Sequence, residues 1–182
     1  MPRTAFATLL LFVAVPAAFG QDAGESARQE VWLGDDLAVT YEARVEDDWL
    51  VVEVSHEPGW HTYAMDNLLR ATEVTGKERP DTELPTVITT SPEIEVAAPW
   101  RQTDPTELHQ PDLQWYTWGF GDRSFFAARL ERADPGGSVQ VDAQACTDRL
   151  CAMVDGLVVP VTRSDARSVD PAALTEVRAP AP

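Results

Sequence analysis

Residues 36–45 read DLAVTYEARV. Leu37, Val39, Tyr41, Ala43 and Val45 share one side of that stretch, and a period of two is the signature of a half-buried β-strand. The acidic triplet Glu46-Asp47-Asp48 marks a turn, and residues 49–54 (WLVVEV) supply the returning strand. Working outward, further strands are predicted at 84–89, 123–130, 137–145 and 156–161. Turn signals separate the segments: Glu57-Pro58-Gly59, Asp104-Pro105, Asp134-Pro135-Gly136-Gly137 and Asp155-Gly156. Short strands with regular punctuation point to an all-β sandwich. One short helix is predicted over Asn67–Thr75, with Asp66 as N-cap and Gly76 past its end. Asp170-Pro171 opens a second short helix or turn, and the chain from Arg178 onward is expected to be loose.

The chain has 182 residues, with 30 Asp+Glu against 14 Lys+Arg and a formal net charge of -16. Such a charge repels phosphate, so nucleic acid is excluded as a partner. A hydrophobic fraction of 44 % is enough for a folded core. Residues 1–20, MPRTAFATLLLFVAVPAAFG, have the layout of a secretory signal peptide: Arg3, an apolar run, then small residues Ala18 and Gly20 before the expected cleavage. The apolar run is too short to span ~30 Å of hydrocarbon. No later stretch of the sequence reads as a membrane span, so the mature chain is expected in the periplasm or outside the cell, in an oxidising space. The expected organisation is a signal peptide at 1–20, a flexible mature N-terminus at 21–28, a sandwich at 29–163 and a C-terminal tail at 164–182 that includes a short helix.

The 2 cysteines allow at most one intramolecular disulfide and cannot build a structural zinc site alone. They stand in residues 139–151, VQVDAQACTDRLC. Alternation places Val139, Val141, Ala143 and Ala145 on one face and Cys146 on the other, with Gln140, Asp142 and Gln144. An accessible Cys146 sulfur is therefore expected. Four residues separate Cys146 from Cys151, and the chain-entropy model gives such a ring about 2 kcal/mol. Arg149 favours a thiolate, while Asp142 and Asp148 oppose one or take its proton. At this point the pair reads first as a permanent staple stiffening a hairpin, with a reversible bridge as the alternative.

Gln144-Ala145-Cys146-x4-Cys151 followed by Leu157-Val158-Val159-Pro160-Val161 resembles the end of the amino-terminal periplasmic domain of the DsbD thiol:disulfide interchange family. Pro58-Gly59-Trp60-His61-Thr62-Tyr63 looks like that family's Gly-aromatic-x-x-Tyr stretch, and Trp115-Tyr116-Thr117-Trp118-Gly119-Phe120 like its aromatic segment. The resemblance implies an immunoglobulin-like β-sandwich with a redox-active pair. It would accept electrons from a thioredoxin-like reductant and pass them to oxidised exported proteins, as a thiol:disulfide oxidoreductase without cofactor. It further implies that Cys151 forms the mixed disulfide and Cys146 resolves it, that His61 and Tyr63 lie close to the sulfurs, and that a cap loop including Trp115 falls within 103–118. Ala152-Met153 stands where family members carry Pro-Pro. The family protein continues into a membrane conduit and a second thioredoxin-like domain, whereas this sequence stops at Pro182. A freestanding version with a separate reductant is expected, or a relative kept for binding. The alternative function is thus a non-catalytic adaptor sandwich with a structural disulfide.

His56, His61 and His109 are the only histidines, and with Met65 and the cysteines they offer a conceivable copper or zinc set. On a continuous strand His56 and His61 face opposite sides, so ordinary hydrogen-bonded roles are expected, with no metal. His61 keeps a role as modulator of thiol acidity. Among the six tryptophans, Trp115 and Trp118 sit in a segment dense enough in aromatics for a cap or docking surface. No G-x-S-x-G, H-E-x-x-H or P-loop occurs.

Overall fold

A computed structural model describes residues 28–77, 82–108, 110, 112 and 115–179. The predicted signal peptide at 1–20, residues 21–27 and His109 lie outside the described residues, as does part of the predicted cap loop. The strands are β1 (Gln29–Leu33), β2 (Asp36–Glu46), β3 (Trp49–His56), β4 (Thr62–Tyr63), β5 (Val87–Thr90), β6 (Ile94–Gln102), β7 (Thr106–Glu107), β8 (Trp118–Phe120), β9 (Arg123–Ala133), β10 (Ser138–Cys146), β11 (Cys151–Ser164) and β12 (Thr175–Glu176). Among the described residues, one α-helix, α1, covers Asn67–Thr75. The fold is all-β and immunoglobulin-like, as expected, with a curled main sheet and a second small one.

The main sheet runs β12-β6-β9-β3-β2-β11-β10-β5, with β1 paired to β2. The β2–β3 hairpin turns through Asp47-Asp48, where Asp47 takes a φ of 52°, a left-handed conformation that Asp tolerates. The strand β11 ties the layers together: residues 161–164 pair in parallel with β2, while 151–160 pair with β10. Val39, Tyr41 and Ala43 of β2, Leu50, Val52 and Val54 of β3, and Val139, Val141 and Ala143 of β10 fill one shared core. The alternation read in 36–45 and 139–145 is the inward face of that core.

Several boundaries differ from expectation. Asp155-Gly156 is a bulge inside β11 rather than a turn: the Asp142 carboxylate accepts the Gly156 N–H at 2.7 Å, and both residues oppose Asp142. β11 therefore begins at Cys151, directly opposite Cys146. β5 starts at Val87 because Pro85 has no N–H and the Leu84 N–H goes to the Gln144 side chain. Asp66 occupies the N-cap position without a capping hydrogen bond; its carboxylate serves Arg70, Gln102 and the Arg178 N–H instead. Gly76 ends α1 in the left-handed conformation, as expected. Asp170 caps a 3-10 turn at Pro171–Ala173. Arg178 is anchored rather than loose, through Asp66 and through an ion pair with Glu73.

The small sheet, β4-β8-β7, lies over the end of the β10–β11 hairpin. Gly119 makes it possible: a Cβ there would stand 2.3 Å from the Thr62 carbonyl oxygen, so no other residue fits the β4–β8 approach.

Candidate functional site

Cys146 and Cys151 form a disulfide across the last pair of the β10–β11 hairpin. The four-residue turn is held by its own hydrogen bonds: Thr147 N–H donates to the Leu150 carbonyl at 2.8 Å, and the Thr147 hydroxyl accepts from the Arg149 and Leu150 amides. The two halves of the bridge differ sharply. Cys146 is 1 % exposed, whereas Cys151 faces solvent. The accessible Cys146 expected from alternation is thus corrected. Its backbone exchanges two hydrogen bonds with His61, each 2.9 Å, and this bridge brings β4 and its neighbours over the sulfur's side of the strand.

Above the disulfide lies a cleft of 560 Å³. Of the residues singled out in the sequence, Cys146, Cys151, His61, Tyr63, Asp148, Arg149 and Trp115 line it, whereas Asp142 is turned to the Gly156 amide at the β11 bulge. Trp115 reaches the cleft on an arm that continues β7 and β8, through paired hydrogen bonds with Gln110. The Gly-aromatic-x-x-Tyr stretch puts its polar groups in register. His61 Nε2 lies 3.0 Å from the Tyr63 hydroxyl, and the rings meet edge to face at 5.4 Å. Burial holds the His61 pKa below its ordinary value, against an opposing pull from Asp148. Burial also raises the Tyr63 pKa, and Glu83 adds to the rise.

Glu83 had no signal in the sequence. One of its carboxylate oxygens and the two sulfurs lie within 4.8 Å of one another. With both sulfurs bonded to each other, the group offers no thiolate to a metal. The position of Glu83 depends on α1: the buried Asn67 side chain donates to the Glu83 carbonyl at 2.9 Å and to the Thr82 hydroxyl, while accepting from the Trp118 amide. Asn67 thereby fastens the segment before β5 to the small sheet. Long-range clamps of this kind leave no local pattern.

The other candidates disperse. His56 bonds the Asp122 carbonyl and the Thr62 hydroxyl, apart from the cleft. Trp60 is buried in the core and Trp32 is exposed on β1. Among the described residues, no helix is long and apolar enough to cross a membrane.

Among solved structures, the chain is similar to the N-terminal periplasmic domain of ScsB from Proteus mirabilis, with a TM-score of 0.49 and 15% identity, over 75% of this chain and 51% of that one. The second neighbour is the DsbD N-terminal domain of Neisseria meningitidis in the reduced form, with a TM-score of 0.43 and 13% identity, over 68% of this chain and 82% of that one. The chain resembles DsbD-type N-terminal domains. It spans about half the length of the ScsB chain it matches. No protein-family model and no curated protein matches the chain.

Proposed function

We propose that this protein is an exported thiol–disulfide exchange module that relays electrons from a thioredoxin-like dithiol to oxidised periplasmic or secreted client proteins. The observation that carries the reading is the asymmetry of the bridge, with Cys151 open to solvent and Cys146 buried at the cleft floor. Exchange requires one sulfur open to attack and a second that leaves and returns without competing for partners. A donor thiolate attacks Cys151, the Cys146–Cys151 bond breaks, and Cys146 departs with the electron pair. The donor's second thiol then displaces Cys151, leaving the donor oxidised and the pair reduced. Cys151 next attacks a client disulfide, and Cys146 releases the reduced client. Exposed Leu150 stands in the turn next to Cys151, and exposed Leu84 and Met153 line a separate apolar cleft, surfaces that suit a protein partner.

Trapping tests the reading. Cys146→Ser should accumulate a mixed disulfide through Cys151, while Cys151→Ser should accumulate none. Capture by neither variant, or a reduction potential below about -300 mV, would make the bond structural and return the protein to an adaptor role.

A further inference from the structure

The exchange leaves one proton to be accounted for. When the bridge opens, Cys146 departs as a thiolate in a site only 1 % exposed. An apolar, buried setting raises a thiol's pKa, so the departing sulfur must gain a proton as the bond breaks, and must lose it again before resolving. Bulk water has poor access to supply it. A proton carrier within reach is therefore required.

The groups facing this point come from every wall of the cleft. His61 and Tyr63 come from β4 and the residue before it, Glu107 from β7, Asp148 and Arg149 from the turn, and Glu83 from the segment before β5. Tyr63 is already engaged with His61. Among the described His, Asp and Glu residues, only Glu83 has a side-chain ligand atom within 4.8 Å of both sulfurs. A single hydrogen-bonded water or a side-chain rotation spans that distance. The carboxylate is also held in place, by Asn67 through its own backbone and by the Gln144 side chain. Gln144 is fixed in turn by the Leu84 amide.

We propose that Glu83 is the proton carrier of the exchange, giving its proton to the Cys146 sulfur as the disulfide opens and taking it back as the disulfide closes. The inference rests on the exchange reading above. In the opening step the dithiol's thiolate attacks Cys151, the bond's electron pair moves to Cys146, and the carboxylic acid of Glu83 becomes a carboxylate. Solvent reprotonates it through the cleft mouth. Burial supports the assignment by raising the Glu83 pKa toward the working range, against a smaller opposing effect of the Gln144 hydrogen bond.

The test is the rate of disulfide reduction by dithiothreitol across pH, expressed per reductant thiolate. Wild-type rates should fall as pH rises through the titration of Glu83. Glu83→Gln should lose that limb and react about tenfold more slowly at the acidic end, a modest share of what a positioned acid supplies. Glu83→Asp should keep the limb at a reduced rate, which also covers the case in which the Gln variant fails to fold. Matching circular dichroism spectra and melting midpoints would set aside a purely structural effect. A reactive wild type with the same pH profile in Glu83→Gln overturns the Glu83 assignment alone. A wild-type bond that dithiothreitol cannot open overturns the exchange reading and this inference together.

Discussion

Two clefts of comparable size, one of 440 Å³ and one of 560 Å³, gather charged side chains in opposite ways. The smaller is lined by Glu42, Arg44, Glu53, Arg123, Arg163 and Arg167; Arg163 donates to the Ala133 carbonyl, and each of the others has an opposite charge as partner. Arg44 bonds Glu46 at 2.6 Å and Glu53, while Glu46 also accepts from Ser168. Burial alone would raise the Glu53 pKa, but hydrogen bonds from Arg123 and Arg44 outweigh it and hold the group below the usual carboxylate range. In the larger cleft, burial wins: His61 is pushed down, and Tyr63 and Glu83 are pushed up. Where partners win, a charge is fixed and contributes to the fold. Where burial wins, a group is kept close to changing its charge, which suits chemistry.

The strongest way to break this contrast is Arg44→Met. It keeps most of the side chain's bulk but leaves Glu46 and Glu53 without their shared cation. Removing one member of a buried ionic group costs about 3–5 kcal/mol, so urea midpoints should drop substantially. The pH dependence should change as well. Glu53 has its pKa depressed in the fold, so its contribution is present above the carboxylate range and lost as pH falls through its folded value. That acid limb should shrink in the variant. The rate of disulfide reduction should not change; if it does, the two clefts are not independent.

Opening the bridge is the next largest effect. The chain-entropy model gives the reduced protein a deficit of about 2 kcal/mol, readable as the difference between oxidised and reduced urea curves. The hairpin turn keeps its own Thr147 hydrogen bonds, so the fold should survive reduction. Combined with Arg44→Met, the losses should add to within about 0.5 kcal/mol, as distant sites do. A larger discrepancy would mean that the layers transmit strain along β11, the strand that serves both.

These differences also explain what was legible in the sequence. The cysteine pair, the His61–Tyr63 stretch and the Trp115 segment are compact motifs, and the structure gathers all three around one cleft. Strand β6 was not legible, because Pro99 interrupts its pattern and its register breaks between Ala97 and Arg101. The burial of Cys146 was misread for a different reason. Alternation assigns a face within one sheet, whereas a second sheet laid across the strand end buries both faces. Glu83 was invisible because Asn67 and Gln144, its supports, lie 16 and about 60 positions away along the chain. A site assembled by such clamps leaves its mark only in three dimensions.

The smallest expected effect tests the larger cleft most finely. Burial lowers the His61 pKa, and the Asp148 charge partly restores it. Asp148→Asn removes the restoring charge, so the His61 titration followed by NMR should move to still lower pH. The sign then fixes a stability effect. A histidine with a depressed folded pKa is charged more readily in the unfolded chain, so stability falls as pH drops through the unfolded value toward the folded one. The Asn variant should extend that window slightly downward. A move of His61 in the opposite direction would mean that Asp148 does not face the ring. The turn carrying Cys151 would then be oriented away from the cleft, and the proximity of His61 to the reacting sulfurs would lose its electrostatic meaning.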